Sequence, residues 1–176
     1  VTKHYDIQHP NDDLETVTFV DGFGRAVQVK KDGVVTSASK GSSAKDENVM
    51  IVSGRNVYDA FGRVAKAFYP TTEGNGSKST FNKSFDNVSP TVTVYDVLDR
   101  ANSVTLPDNS TTTTAYTVDN GTHALVTTVT DALHNVQATH TNGSGKTLKT
   151  IQKSGPDGEI TTSFEYDGIQ RLVRVT

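Results

Sequence analysis

The sequence predicts an all-β protein, a repeated array of antiparallel β-hairpins. Three observations carry this prediction. Val (22) and Thr (26) supply 48 of the 176 residues, against only 7 Leu, and β-branched side chains suit a pleated, half-buried surface. Nowhere do apolar residues recur at helical spacing through three turns, as an amphipathic helix would require. Finally, one short phrase returns five times at a nearly fixed interval, the mark of a repeat architecture. An apolar content of 34% is low for a compact globule and fits a sheet with much solvated surface.

The clearest copy of the phrase is Tyr58-Asp59-Ala60-Phe61-Gly62-Arg63-Val64. The five copies occupy residues 20–26, 58–64, 95–101, 130–136 and 166–172, and their aspartates are Asp21, Asp59, Asp96, Asp131 and Asp167. Successive spacings are 38, 37, 35 and 36 residues. Residues 17–176 therefore read as five repeats, and residues 1–16 as a lead-in or decayed repeat with Tyr5-Asp6 as its remnant.

Each position has a physical reason. The tyrosines Tyr58, Tyr95 and Tyr166 suit cross-strand packing. An aspartate at a turn entry accepts backbone N–H bonds two residues on. Gly24 and Gly62 permit positive φ where the chain reverses. Arg25, Arg63, Arg100 and Arg171 are placed to pair with a carboxylate of their own or an adjacent repeat. Phe23, Phe61, Leu98, Leu133 and Ile169 are apolar in all five copies, so they are expected to be buried on one side of the sheet. Two main strands per repeat would line the motif turns along one edge at a step of about 9–10 Å, or about 14 Å if a third strand intervenes.

Tyr-Asp, two residues, Gly-Arg and then an apolar strand is the hallmark of the Rhs or YD-repeat family, and Tyr58-Asp59 with Gly62-Arg63 matches it in full. The chain resembles that family over residues 17–176. Through residues 19–25 and 105–116 it is similar to the YD-repeat region in the B component of bacterial insecticidal toxin complexes. Departures occur where Val20 and Thr130 replace the tyrosine, where Asp99, His134 and Gln170 replace the glycine, and where Asn135 replaces the arginine. The resemblance implies a curved strip of strands that, extended by further repeats, forms a shell around a toxic C-terminal polypeptide. It also implies a secreted or cell-surface bacterial protein. Its expected partners are further repeats, an enclosed cargo or other toxin-complex subunits.

Along the chain, a strand over 17–20 enters the first motif turn. Extended runs over 26–31 and 34–39 flank Asp32-Gly33, a hairpin-turn dipeptide. Residues 40–48 and 71–79 are polar and rich in Ser, Lys and Gly, and both are expected to be mobile loops. Short strands follow at 49–52, 57–58, 64–69 and 92–95. The third repeat alternates strands at 104–106, 110–118 and 125–130 with turns at Pro107-Asp108-Asn109 and Asn120-Gly121. In the fourth, Asn142-Gly143 to Gly145 and Pro156-Asp157-Gly158 punctuate strands at 148–152 and 160–166.

Composition and motifs exclude several function classes. A net charge of −3 gives no basic stripe for nucleic acid, and no apolar run approaches a membrane span. The stretch from Val1 shows no charged-plus-apolar signal segment, which excludes nothing because the sequence reads as a fragment; with no Cys neither disulfides nor thiolate chemistry arise. Gly145-Lys146-Thr147 imitates the end of a phosphate loop, but position 140 is His140 where that motif needs glycine. The five histidines lack ligand spacing; only His134 and His140 could meet across a hairpin to bind zinc. Asp12-Asp13 and Asp157-Gly158-Glu159 do not form an EF-hand pattern, and no Gly-x-Ser-x-Gly elbow is present. The Asp-Pro dipeptide that accompanies self-cleavage in the resembled family is absent too. The expectation is a non-enzymatic segment without cofactor or metal. The alternative is a carbohydrate-binding or adhesion module using Tyr58, Tyr95, Tyr116 and Tyr166 as stacking platforms.

Overall fold

The computed structural model describes residues 1–5, 7, 13–38, 43–84, 89–154 and 158–176. It is all-β, and the helical turn among the described residues is one short 3-10 segment, Asn75–Ser77. The chain divides into two compact units, residues 1–92 and 93–176.

In the first unit, β1 (Thr2–His4), β2 (Leu14–Val20), β3 (Ala26–Ser37) and β4 (Lys45–Ser53) follow one another. After β5 (Asn56–Tyr58) and β6 (Val64–Ala67) comes β7 (Thr71–Gly74), which completes an antiparallel sheet of order β1-β2-β3-β4-β7. β4 and β5 behave as one strand opposite β6 and β7. Val49 faces Gly74, Val52 faces Thr71 and Asn56 faces Ala67, so the partner numbers keep a constant sum. Between the two ladders the Phe68 N–H donates to the Arg55 carbonyl at 2.9 Å, preserving that register. Gly54 supplies the irregular step at φ 62°, a conformation with little cost only for glycine.

The core of this unit is unusually polar. Gln28, Lys30, Met50, Val52 and Arg55 have no exposed surface. Partners for the polar ones come from residues 69–84. Gln28 exchanges two hydrogen bonds with the Asn82 backbone at 2.8 and 3.1 Å. The Lys30 ammonium meets Glu73 at 2.6 Å and donates to the Ser77 and Thr80 carbonyls. The Arg55 guanidinium donates to the Tyr69 and Ser84 carbonyls at 3.1 Å. A buried charge is tolerated only when paired and hydrogen-bonded, and these bonds tie the segment down. The Phe81 ring packs edge-on against Phe19 at 5.5 Å.

The second unit opens within β8 (Thr91–Tyr95) and continues as β9 (Ala101–Thr105), β10 (Thr111–Asp119), β11 (Ala124–Thr130), β12 (Val136–Thr141), β13 (Thr147–Lys153), β14 (Glu159–Tyr166) and β15 (Leu172–Val175). These are spatial neighbours in chain order, a plain meander. Only Ala124 and Val126 are buried among its described residues. The register aligns Tyr116, Thr127, Thr139, Thr150 and Thr162 across five consecutive strands, which accounts for the threonine excess: β-branched cross-strand neighbours stabilise a sheet without a dry core.

Several expectations fail, each for a physical reason. Asp32-Gly33 is not a turn, since β3 runs through it with Asp32 opposite Met50 and Gly33 opposite Val49. A Cβ on Gly33 would lie 2.5 Å from Ile51 Cδ1, so any larger residue there makes the Ile51 side chain shift. Residues 45–48 of the expected loop at 40–48 belong to β4, while residues 40–42 lie outside the described residues. Of 71–79, the first four form β7 and pair with β4. Asp6 and the Pro156-Asp157 pair also lie outside the described residues.

The inward residues are also corrected. Phe23, Phe61, Leu98, Leu133 and Ile169 are all exposed, at 86, 82, 67, 81 and 70%. Each is the third residue of its turn, at the tip of a hairpin, where no sheet face is available to cover it. The aspartates do not line one edge either. In the second unit three strands separate successive motif turns (β9 to β11, then β12 to β14). An odd number of antiparallel strands puts Asp131 on the edge opposite Asp96 and Asp167.

Candidate functional site

The motif turn is one module built five times. In the first copy the Asp21 N–H donates to the Arg25 carbonyl and the Gly24 N–H to the Asp21 carbonyl. Asp21 Oδ1 accepts the N–H groups of Phe23 and Arg25, and Oδ2 accepts Arg25 Nε at 2.7 Å. The same set recurs at Asp59 with Arg63 and at Asp96 with Arg100. It recurs again at Asp167 with Arg171, and at Asp131, where the Asn135 amide replaces the guanidinium at 2.8 Å. Each arginine therefore pairs with the aspartate of its own turn.

The fourth residue is left-handed in every copy: φ is 77° at Gly24, 83° at Gly62, 62° at Asp99, 65° at His134 and 66° at Gln170. This is a tight turn closed by a left-handed residue that forms a bulge. The strand register shifts just before Val20, Tyr58 and Tyr166 as that extra residue demands.

These bonds set the electrostatics. The side-chain bond from Arg25 is the largest influence holding the Asp21 carboxyl below its ordinary value. For Asp131 it is the Asn135 amide, and for Asp167 the backbone N–H of Arg171. At Asp59 and Asp96 burial pushes upward most strongly, but the combined bonds from Arg63 and Arg100 outweigh it, so both carboxyls are also lowered.

The tyrosines serve a different turn from the aspartates beside them. The Tyr58 ring lies under the Arg25 guanidinium at 4.2 Å, and its hydroxyl donates to the Ala26 carbonyl at 2.8 Å. The Tyr166 ring lies 5.9 Å from the Lys146 ammonium, and its hydroxyl donates to the Thr147 carbonyl. Tyr116, outside the motif, covers Arg100 at 3.8 Å. In each case a ring from the next strand along covers the cation that starts the preceding strand, a cation–π contact. Where Asn135 lacks the charge, the Ser154 hydroxyl takes the ring's place and donates to it at 2.8 Å. We call this arrangement a clasp.

Two participants escape sequence reasoning. The 142–146 turn repeats the module with Asn142 for Asp: Asn142 Oδ1 accepts the Ser144 and Lys146 N–H groups, and Gly145 has φ 77°. The stretch that imitates a phosphate loop is thus a sixth turn. Its signal was the shared spacing of Asx, Gly and a basic residue. Tyr116, marked by the sequence only as a candidate stacking platform, carried no signal that it covers Arg100.

His134 and His140 do not meet: one sits in the turn before β12, and the other lies near that strand's far end, 3.7 Å from Asp119. Among the described residues no three His, Asp or Glu side chains gather where they could hold a metal. No helix among the described residues is long and apolar enough to cross a membrane. Tyr58, Tyr95, Tyr116 and Tyr166 are half-buried.

A family described as a domain of unknown function (DUF6443) matches residues 1–118. The chain belongs to the DUF6443 family. No curated protein sequence matches it. This DUF6443 chain shares its fold with crystal structures of TcdB2-TccC3, at a TM-score of 0.66 and 17% identity over 99% of its length. It matches TcdB2-TccC3 without its hypervariable C-terminal region equally well, at 0.66 and 18% over 98%. It spans only 9% of either chain. The likeness of fold agrees with the resemblance drawn from the Tyr-Asp phrase.

Proposed function

We propose that this chain is a non-enzymatic structural repeat segment of a large secreted or surface-associated bacterial protein, forming part of a β-shell around a toxic C-terminal cargo. Its action is containment, in which the strip keeps proteases out and the cargo away from the producing cell. Further repeats, the cargo or other toxin-complex subunits are its partners. The observation that carries this reading is the turn module. Asp21, Gly24 and Arg25, Tyr58, Asp59, Gly62 and Arg63, and their counterparts Tyr95, Asp96, Arg100, Asp131, Tyr166, Asp167 and Arg171 are placed for structural work. The bonds within the turns, and those from Tyr58 and Tyr166 to the preceding turn, support that reading. Such a device repeats along a strip and needs no catalytic group. The carbohydrate alternative is not favoured, because guanidinium groups already cover a face of Tyr58 and of Tyr116.

Limited proteolysis of the intact parent protein tests the proposal. Containment predicts that its C-terminal segment resists cleavage until the repeats are denatured. Cleavage of that segment in the native protein, at the rate of the same segment expressed alone, would rule containment out.

A further inference from the structure

The fourth motif turn lacks both halves of the clasp. Asp21, Asp59, Asp96 and Asp167 each pair with the arginine of their own turn at 2.6–2.7 Å. Asp131 holds the neutral Asn135 amide instead, and no arginine or lysine among the described residues bonds it. The ring is missing too. The register of β12 with β13 runs on past Val136–Lys153 to set Ser154 opposite Asn135, where the β9–β10 register sets Tyr116 opposite Arg100. Both replacements are smaller than the groups they stand for, and a cavity of about 380 Å³ opens at this place. Asp131, Asn135 and Ser154 line it together with Val129 and Ile160, and Ile160 is an exposed apolar side chain. Lys153 lines it as well, but it alternates with Ser154 along the strand and so belongs to the other face of the sheet. A hollow with apolar walls and one convergent charged group is the usual form of a small-ligand site.

We propose that the cavity at the fourth motif turn binds a small organic cation, a guanidinium or amidinium group on an apolar body. The cation takes the place of the missing arginine and donates to Asp131 Oδ2. The body takes the place of the missing ring, along Val129 and Ile160. In four other turns that same aspartate oxygen accepts an arginine Nε at 2.7 Å. At Asp131 it accepts the Asn135 amide, and a carboxylate oxygen can accept a second donor. A planar forked cation suits a carboxylate edge and bonds it with charge assistance. Binding there depends on the geometry of one turn and not on an enclosed cargo.

The test titrates the full 176-residue chain with benzamidine, an amidinium on a ring, and follows the amide resonances. The expected shifts centre on residues 131, 135, 154 and 160. Benzamide, the same shape without the charge, should bind at least about tenfold more weakly, the effect of one lost charge-assisted hydrogen bond. Asp131→Asn should weaken benzamidine to the same degree. It keeps the turn, since Asn142 accepts the equivalent backbone N–H groups in the turn at 142–146. Asn135→Arg with Ser154→Tyr builds a clasp into the cavity and should abolish binding. Absence of benzamidine binding overturns the proposal. So do equal affinity for benzamide, shifts centred on another turn, or indifference to Asp131→Asn. The benzamide and Asp131→Asn arms decide the matter even where the double variant fails to fold.

Discussion

At the residue scale, the fourth position of the motif turn is a backbone requirement that side chains meet with differing success. Asp99, His134 and Gln170 hold φ between 62 and 66°, where an L-residue is strained by roughly 1–2 kcal/mol. Replacing any of the three with glycine should raise stability by about 1 kcal/mol, the strain relieved less the entropy glycine adds to the unfolded chain. Gly62→Ala should lower it by a similar amount. Urea denaturation of the four variants checks both signs, and destabilisation by all three glycines would refute the assignment. The carboxyls predict a pH dependence. Hydrogen bonds from Lys3 and then Lys78 lower Glu15 to about 2, and the five motif aspartates are also lowered. The folded state therefore binds fewer protons than the unfolded state, whose carboxyls titrate near about 4. Their contribution is fully present above that value and disappears as pH falls through the lower folded-state values. The urea midpoint should hold steady from neutrality to mildly acidic pH and drop below pH ~4. A midpoint that rose on acidification would contradict the assigned partners.

At the scale of elements, two close approaches organise the first unit. The Gly33–Ile51 approach sets how β3 meets β4, so Gly33→Ala should cost about 1–3 kcal/mol by overpacking. Ile51→Ala removes both atoms that the new methyl would meet, so the double variant should lose less stability than the sum of the single ones. Strict additivity in that cycle would remove the steric account of Gly33. The Lys30 ammonium, Glu73 and the carbonyls of Ser77 and Thr80 form the second. Lys30→Met keeps the volume but strands a carboxylate and two carbonyls, at a cost of about 3 kcal/mol. Hydrogen exchange should then quicken in residues 77–82 before it does in β3. A uniform increase across the sheet would show that the segment is held by something else.

At the scale of the whole molecule, the few buried apolar residues among those described set the thermodynamics. Val17, Val49, Met50, Val52, Ala124 and Val126 are buried, whereas Phe23, Phe61, Val97 and Leu133 are above 80% exposed while folded. Unfolding consequently exposes less new apolar surface than usual. Its heat-capacity change per residue should fall below the common 12–15 cal/mol/K, and calorimetry on the full chain measures it. A normal value would require more burial than these sheets possess.

The sequence by itself determined the strand class, the repeat and the local chemistry of the turns. These rest on interactions within five residues, and Asp59, Gly62 and Arg63 act on one another wherever the turn is placed. It did not reveal that Phe61 faces solvent, because internal conservation of an apolar residue looks the same at a hairpin tip as in a core. Nor did it reveal that Asp32-Gly33 continues a strand: a glycine lying against a close neighbour across the sheet has the same local signature as one required by a turn. Tertiary structure alone joined Tyr58 to Arg25, 33 residues apart, and set Asp131 on the opposite edge from Asp96. Both depend on how many strands separate two turns, and antiparallel pairing converts that count into which side chains meet.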